Sequence, residues 1–360
     1  MIDRDRLVTT FCDLVRIDSP SDEEEAMAQE LSRRLEALGF RAERDAHGNL
    51  IASEEGQEPL LLSAHMDTVE PGRGIKPQVD GDTIRSDGTT ILGGDCKAGV
   101  AAILEALESV RAEGVRRRPV QLAFTRGEEL GLDGAKKMDY SMIMAREAVV
   151  FDGNGPVTRI SSASPTYVRF DVKVTGRAAH AGVEPEKGLS AIRIAAEIIS
   201  QLPQGRIDQE TTFNIGTIAG GSVRNAVPES ATFSGEFRSR NLETLDLLQM
   251  QVKTTLEEVR STYQDATIED DFGIEFHMYR LSPEEEVLGM VTRTLQAMGL
   301  EPELTPSGGG TDANVMRQQG ISSVVVGMST NQMHTVREYV VIPDLVDTAR
   351  FCRMLLVESA

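Results

Sequence analysis

Apolar positions in the first 40 residues repeat at helical spacing: Leu7, Phe11, Leu14 and Val15 share one face, and Met27, Leu31, Leu35 and Leu38 share another. Two helices are predicted there. Ser21 with Glu24 reads as a capping box for the second, and Gly39 stands where that helix should stop. From about residue 40 to residue 160 short apolar runs alternate with helical patterns, which predicts a largely parallel sheet covered by helices. The texture changes at 161–165. Beyond it Val168, Phe170, Val172 and Val174 alternate strictly, as in a strand with one buried face, and 187–202 carries the apolar face of a helix. Strand patterns at 211–219 and 230–238, a helical stretch at 242–262 and a strand-like run near 266–278 complete a β-α-β-β-α-β order. That order is the ferredoxin-like arrangement of two helices on an antiparallel sheet. From Pro283 the first texture returns, with helices at 283–298 and 342–358 flanking the buried-strand run 322–326. The predicted architecture is α/β. A discontinuous three-layer α/β/α domain with a mixed, largely parallel sheet comprises 1–165 and 280–360, and an α+β ferredoxin-like domain, 166–279, is inserted into it.

Composition narrows the function. A length of 360 residues suits two domains. Acids number 57 against 37 bases, a formal charge of −20, and no basic run exceeds Arg116-Arg117-Arg118, so nucleic-acid and membrane-surface binding are not expected. No stretch approaches the roughly 20 apolar residues of a membrane helix, and the first six residues lack a signal-peptide layout. A soluble, cytoplasmic protein is expected. Cys12, Cys96 and Cys352 are too few and too scattered for a disulfide framework or a thiolate zinc site, which fits a reducing compartment, and Cys96 reads by default as a buried, inert thiol. With no tryptophan and 4% aromatics there is little for stacking bases or sugars. Chemistry must come from acids and the five histidines.

Those residues collect where apolar runs end. Leu60–Ala64 runs into His65 and Asp67, Val120–Phe124 into Glu128 and Glu129, and Ala148–Phe151 into Asp152. Val324–Val326 leads through a short loop to His334, and Asp95 opens a helix between the first two strands. Open α/β sheets place ligands at the carboxyl ends of their strands. Singly these residues are ordinary: a hydrogen-bonded His-x-Asp pair, a solvated Glu-Glu turn, an N-cap aspartate. Their convergence on one sheet edge is not. Imidazole and carboxylate donors without thiolates suit zinc, manganese or cobalt. Two cations about 3.5 to 4 Å apart need a bridging carboxylate and share a water whose pKa falls toward about 7. A further carboxylate must then carry the proton, and adjacent glutamates can divide ligation from base duty.

On the motifs Leu14–Ser21, Ser63–Val69, Leu92–Gly99, Gly127–Glu129, Asp152, Gly176–Gly182, Asn225–Pro228, Gly308–Asn314 and His334, the chain resembles the dinuclear-metal exopeptidases. That family includes peptidase T, glutamate carboxypeptidases and aminoacylases, and the likeness is greatest to the peptidase T-like branch. The resemblance implies Asp95 as bridging carboxylate, with His65 and Asp152 completing one metal position and Glu129 and His334 the other. It implies Glu128 as the general base that activates a metal-bridging water for attack on a peptide or amide carbonyl, and Asp67 as the carboxylate that hydrogen-bonds the His65 imidazole. The discontinuous domain becomes the catalytic, metal-binding domain and the inserted one a lid and dimerisation domain. From the lid, His180 would reach a neighbouring subunit's site and stabilise the oxyanion. Asn225 and Arg238 would hold substrate polar groups, and Gly309 and Gly310, with Gly308, would let backbone approach the substrate. A second aspartate is common after the bridging one, but here Cys96 stands there, at a bond that the family often has in the cis form.

The function expected is a cytoplasmic, homodimeric, metal-dependent exopeptidase on short peptides, an aminopeptidase of tripeptidase type with two divalent ions per chain, zinc foremost and manganese or cobalt also compatible. The nearest alternative is an amidohydrolase acting on N-acyl amino acids with the same machinery. The third is a catalytically silent metal- or peptide-binding protein.

Overall fold

The computed structural model describes residues 1–357 and divides into two compact units. The first comprises Met1–Ala163, Arg280–Ser307 and Thr311–Ala360, the second Ser164–Tyr279 with Gly308–Gly310.

The first unit is built on a nine-stranded mixed sheet. Its centre runs Leu50–Ser53, Val120–Thr125, Leu60–His65, Glu147–Gly153, Ser322–Gly327. The last four are parallel, while Leu50–Ser53 lies antiparallel to Val120–Thr125. Every residue of Leu60–His65 and of Val120–Thr125 is buried, because helices cover both faces of the sheet; this is why those runs read as continuously apolar rather than alternating. The helix Gly94–Glu113 is covered on nearly all sides, packing against Arg4–Val15 and Ile342–Val357 as well as the sheet. It approaches the sheet closely at Gly99, where an added Cβ would stand 2.7 Å from Phe151 Cβ and 2.8 Å from Phe151 O. A half-buried ion pair anchors the amino-terminal helix to it: Arg6 Nε and Nη2 donate to the buried Glu105 carboxylate at 2.7 and 2.8 Å.

Two features depart from the sequence reading. The Ser21–Glu24 capping box does not form: Ser21 donates to Asp67 at 2.7 Å, and the Glu24 carboxylate accepts from the Asp22 and Gly127 amides at 3.0 and 2.9 Å. Both side chains are drawn to partners far away in sequence. A small four-stranded sheet, ordered Thr330–Asn331, Tyr339–Val341, Thr83–Arg85, Gln78–Asp80, was not foreseen, since two- and three-residue strands carry no periodicity. It frames the loop that bears His334.

The second unit has a five-stranded antiparallel sheet ordered Gly205–Arg206, Thr211–Gly220, Ser230–Ser239, Thr166–Thr175, Thr267–Phe276. Apart from the two-residue strand this is the ferredoxin-like order. Val168, Phe170, Val172 and Val174 point inward against the helices Ala191–Gln201 and Leu242–Thr262. Phe170 packs against Phe213 and Phe237 with ring centroids 5.6 and 6.1 Å apart.

Gly99→Ala is expected to lower stability by about 1 to 3 kcal/mol, because the methyl group meets backbone that cannot turn aside. A urea melt that leaves the midpoint unchanged would show that the helix moves off the strand at no cost.

Candidate active site

Four parallel strands end on the same side of the first unit, and the turns that follow them carry its acids. His65 closes its strand; its Nδ1 lies 2.9 Å from the backbone oxygen of Asp67, which fixes Nε2 as the free nitrogen. That Nε2 stands 3.2 Å from Asp95 Oδ1 and 3.8 Å from Asp152 Oδ1. His334 Nε2 lies 3.2 Å from Asp95 Oδ2 and 2.9 Å from Glu129 Oε1. Asp95 thus offers one oxygen to each imidazole. Donor atoms of His65, Asp95, Cys96 and Asp152, and separately of Asp95, Glu129 and His334, all lie within 4.8 Å of one another. The peptide bond between Asp95 and Cys96 is cis.

The surroundings position these groups through backbone. The Asp67 carboxylate, fully buried, accepts from the amides of Glu128 and Glu129 at 3.0 and 3.2 Å, holding the short 3-10 turn on which both glutamates stand. Its nearer oxygen is 3.4 Å from His65 Nδ1. The expected Asp67–His65 link therefore runs through the main-chain oxygen, while the carboxylate spends its lone pairs on the glutamate turn and Ser21. Glu338, also buried, accepts from the amides of Leu92 and Gly93 at 2.8 Å and of Asp95 at 3.1 Å, joining the His334 loop to the Asp95 loop. Asp312 accepts from Thr125 Oγ1 through one oxygen; the other is buried without a partner. Lys97 is wholly buried, donating to Ile17 O at 2.8 Å.

Charge is the dominant feature. Burial, with Asp152 nearby, pushes the Glu128 carboxyl well above the usual carboxylate range, and burial does the same to Asp152. Burial lifts Asp312 to about 6 and Glu338 to about 7. It opposes ionisation of Asp95 too, but the His334 and His65 imidazoles outweigh it and hold that carboxyl below the usual range. Close contact with the Asp95 and Glu129 carboxylates raises His334 to about 10. Its contact with Glu129 is short but misaligned, for Glu129 Oε1 is buried and accepts no hydrogen bond. An oxygen without a donor beside converging nitrogens and carboxylates fits a divalent cation better than a proton. The donor set fits such ions.

The remaining expected residues lie in the second unit. His180 is exposed, with Nδ1 accepting from the Gly182 amide at 3.2 Å, and pairs across a bridge with Ala226. The backbone oxygen of Asn225, itself exposed, accepts from the Ala181 amide at 3.0 Å, so Asn225 and His180 share one corner of this unit. Arg238 is already engaged: Nη2 donates to Glu236 at 2.7 Å and its guanidinium lies 4.3 Å from the Tyr167 ring centre. Gly309 O accepts from Ser164 Oγ at 2.9 Å. At Gly310 an added Cβ would stand 2.4 Å from the Phe276 ring, so packing alone requires glycine there. Asp312, Glu338 and the nearness of the Cys96 sulfur escaped the sequence reading. Only position could have flagged them: beside Asp95, in the Gly308–Asn314 motif, and four residues after His334.

One buried and one half-exposed imidazole, paired with buried carboxylates about a shared aspartate at the ends of parallel strands, make a donor set suited to divalent metal ions in a hydrolase. Residues 48–152 match peptidase family M28, and 163–264 match the peptidase dimerisation domain of M20 peptidases. The chain is 36% identical over its full length to YqjE of Bacillus subtilis, an uncharacterized protein, covering all of it. Among solved structures it is similar to the aminopeptidase PepT of Bacillus cereus, at 34% identity and TM-score 0.87 over 99% of both chains. It is also similar to a tripeptidase of Staphylococcus aureus, at 32% identity and TM-score 0.92 over 99% of this chain and 98% of that one. The chain belongs to the M20 peptidase family, in its peptidase T-like branch.

Asp67→Asn places an amide NH2 against the Glu128 and Glu129 amides. Metal affinity is expected to fall by about 10- to 100-fold with the fold intact, read by metal titration beside circular dichroism. Unchanged affinity would mean that the glutamate turn holds itself.

Proposed function

We propose that this chain is a homodimeric, cytoplasmic aminopeptidase that removes the N-terminal residue of tripeptides. His65, Asp95 and Asp152 would hold one zinc ion, and Asp95, Glu129 and His334 the other. When bound, the metals supply a water acidic enough to ionise near neutral pH and polarise the scissile carbonyl. Glu128 carries the reading: it is buried beside His65 and Glu129, with which it forms a third group of donor atoms within 4.8 Å, and it stands outside both groups built on Asp95. It takes the proton of the attacking water and hands it to the leaving nitrogen. A carboxyl whose burial favours the protonated form suits a group that must keep a proton between those transfers. Asp67 keeps Glu128 and Glu129 apart by their amides, one on the water and one on metal.

The surplus of buried acid also bears on the substrate. An aminopeptidase substrate has a free ammonium beside the scissile carbonyl, whereas an N-acyl amino acid has a carboxylate beside the scissile nitrogen. Unbalanced negative charge attracts the first and repels the second. This favours the peptidase over the deacylase. Three free thiols among the described residues suit a reducing compartment. His180 and Asn225 are proposed to act from the lid, His180 on the oxyanion at the site of the other subunit.

With a panel of tripeptides, dipeptides and N-acyl amino acids, release of the N-terminal residue from tripeptides is expected; cleavage confined to the acylated compounds would overturn the assignment. Glu128→Gln should retain two metals per chain while kcat falls by about 10²- to 10⁴-fold. Parent-like turnover would exclude Glu128 as the base. Chains carrying Glu128→Gln or His180→Ala, each impaired alone, should recover activity when mixed into heterodimers, where one site keeps both intact groups. No recovery in verified heterodimers would restrict His180 to its own subunit.

A further inference from the structure

The mechanism leaves the sulfur of Cys96 unused, although no side chain lies deeper in the metal-ligand cluster. Cys96 is fully buried, with Sγ 3.1 Å from Asp152 Oδ1 and 3.3 Å from Asp95 Oδ1. The same two oxygens stand 3.8 and 3.2 Å from His65 Nε2. The S–H proton can serve one of those carboxylates, and the sulfur then faces the other oxygen as a soft donor atom. The distances are also those of a coordination shell. With zinc bonds of about 2.3 Å to sulfur and about 2.0 Å to nitrogen or oxygen, tetrahedral ligands stand about 3.5 Å apart along a sulfur–oxygen edge and about 3.3 Å along a nitrogen–oxygen edge. The sulfur–oxygen separations of 3.1 and 3.3 Å fall somewhat inside the first edge, and the nitrogen–oxygen ones of 3.2 and 3.8 Å lie on either side of the second. A buried carboxylate oxygen without a hydrogen bond, on Glu129, lies in the adjoining ligand group.

We infer that Cys96 is a fourth protein ligand, a thiolate, at the position formed by His65, Asp95 and Asp152, and that it makes this position selective for zinc over manganese and magnesium. The inference rests on the dinuclear reading above. On binding, the sulfur–hydrogen bond breaks, its proton leaves to solvent and a sulfur–metal bond forms, with no change of oxidation state. Soft sulfur favours zinc, whereas oxygen ligands suit manganese and magnesium equally well. The second position has only nitrogen and oxygen donors, and His334 there is half exposed. The two positions are therefore unlike, one closed and soft, the other open and hard.

The test is titration of chelated protein with Co²⁺, following bound cobalt per chain and the absorption spectrum. Two cobalt ions are expected to bind, with a sulfur-to-cobalt charge-transfer band in the near ultraviolet. Cys96→Ser and Cys96→Asp should each bind two ions without that band, and zinc should lose its advantage over manganese in direct competition. Two bound ions and no band in the parent would overturn thiolate ligation while leaving the dinuclear centre standing. A band that survives both substitutions would trace the sulfur to another cysteine and overturn it equally. A parent chain that binds no cobalt would overturn the dinuclear reading and this inference with it.

Discussion

Seven carboxylates, those of Asp67, Asp95, Glu128, Glu129, Asp152, Asp312 and Glu338, are nearly or wholly buried at one end of one sheet. The cationic groups among them are two imidazoles and the ammonium of Lys97. With every carboxyl ionised, two protonated imidazoles and Lys97 still leave four negative charges in surroundings where a buried unpaired charge costs several kcal/mol. Proton uptake, which burial favours at Glu128, Asp152, Asp312 and Glu338, removes part of that excess. Divalent cations would relieve it while leaving the carboxylates ionised. The rest of the site follows from the same constraint: Asp67 and Glu338 turn their oxygens to main-chain amides, the one donor always at hand, and in doing so hold the loops that bear the ligands.

The sheet makes the constraint sustainable. Parallel strands buried on both faces leave their carboxyl ends as the place where backbone and side chains can meet polar partners. Close helix packing, as at Gly99 over Phe151, keeps the Asp95 loop and the Asp152 strand in register within van der Waals distance. The His334 loop is built differently. Ser329, Gln332 and His334 all have positive φ, a costly region for residues with a Cβ. Thr330–Asn331, Tyr339–Val341 and Glu338 together pay for that geometry.

Most of the fold was legible because its signal is periodic. Strict alternation at Val168–Val174 and helical spacing at 242–262 leave few architectures open, and the continuous runs at Leu60–Ala64 and Val120–Phe124 mark strands covered on both sides. What stayed hidden has no period. The small sheet around His334 is made of two- and three-residue strands, and Ser21 and Glu24 have the spacing of a cap but better partners elsewhere. The metal-ligand cluster was legible as residue types at strand ends. Which atom does the work was not: Asp67 reaches His65 by its main-chain oxygen, Arg238 is held by Glu236 and Tyr167, and Gly310 answers to Phe276. Such choices turn on tenths of an ångström, between near neighbours for Asp67 and His65 and between residues tens of positions apart for Arg238 and Tyr167 or Gly310 and Phe276.

The adjacent glutamates show how environment, not residue type, divides labour. Glu128 and Glu129 start from the same turn and both amides donate to Asp67. Their side chains diverge. Glu129 points to His334, whose imidazole is half exposed, so that side of the centre is open. Glu128 lies against His65 and Asp152, where almost no solvent reaches and the charged form is disfavoured. A carboxyl whose charged form burial disfavours, as at Glu128, gains a proton readily and suits proton transfer. The two imidazoles differ in the same sense: His65 is 1% exposed and His334 52%, so the Glu129–His334 side of the cluster is the one that solvent reaches.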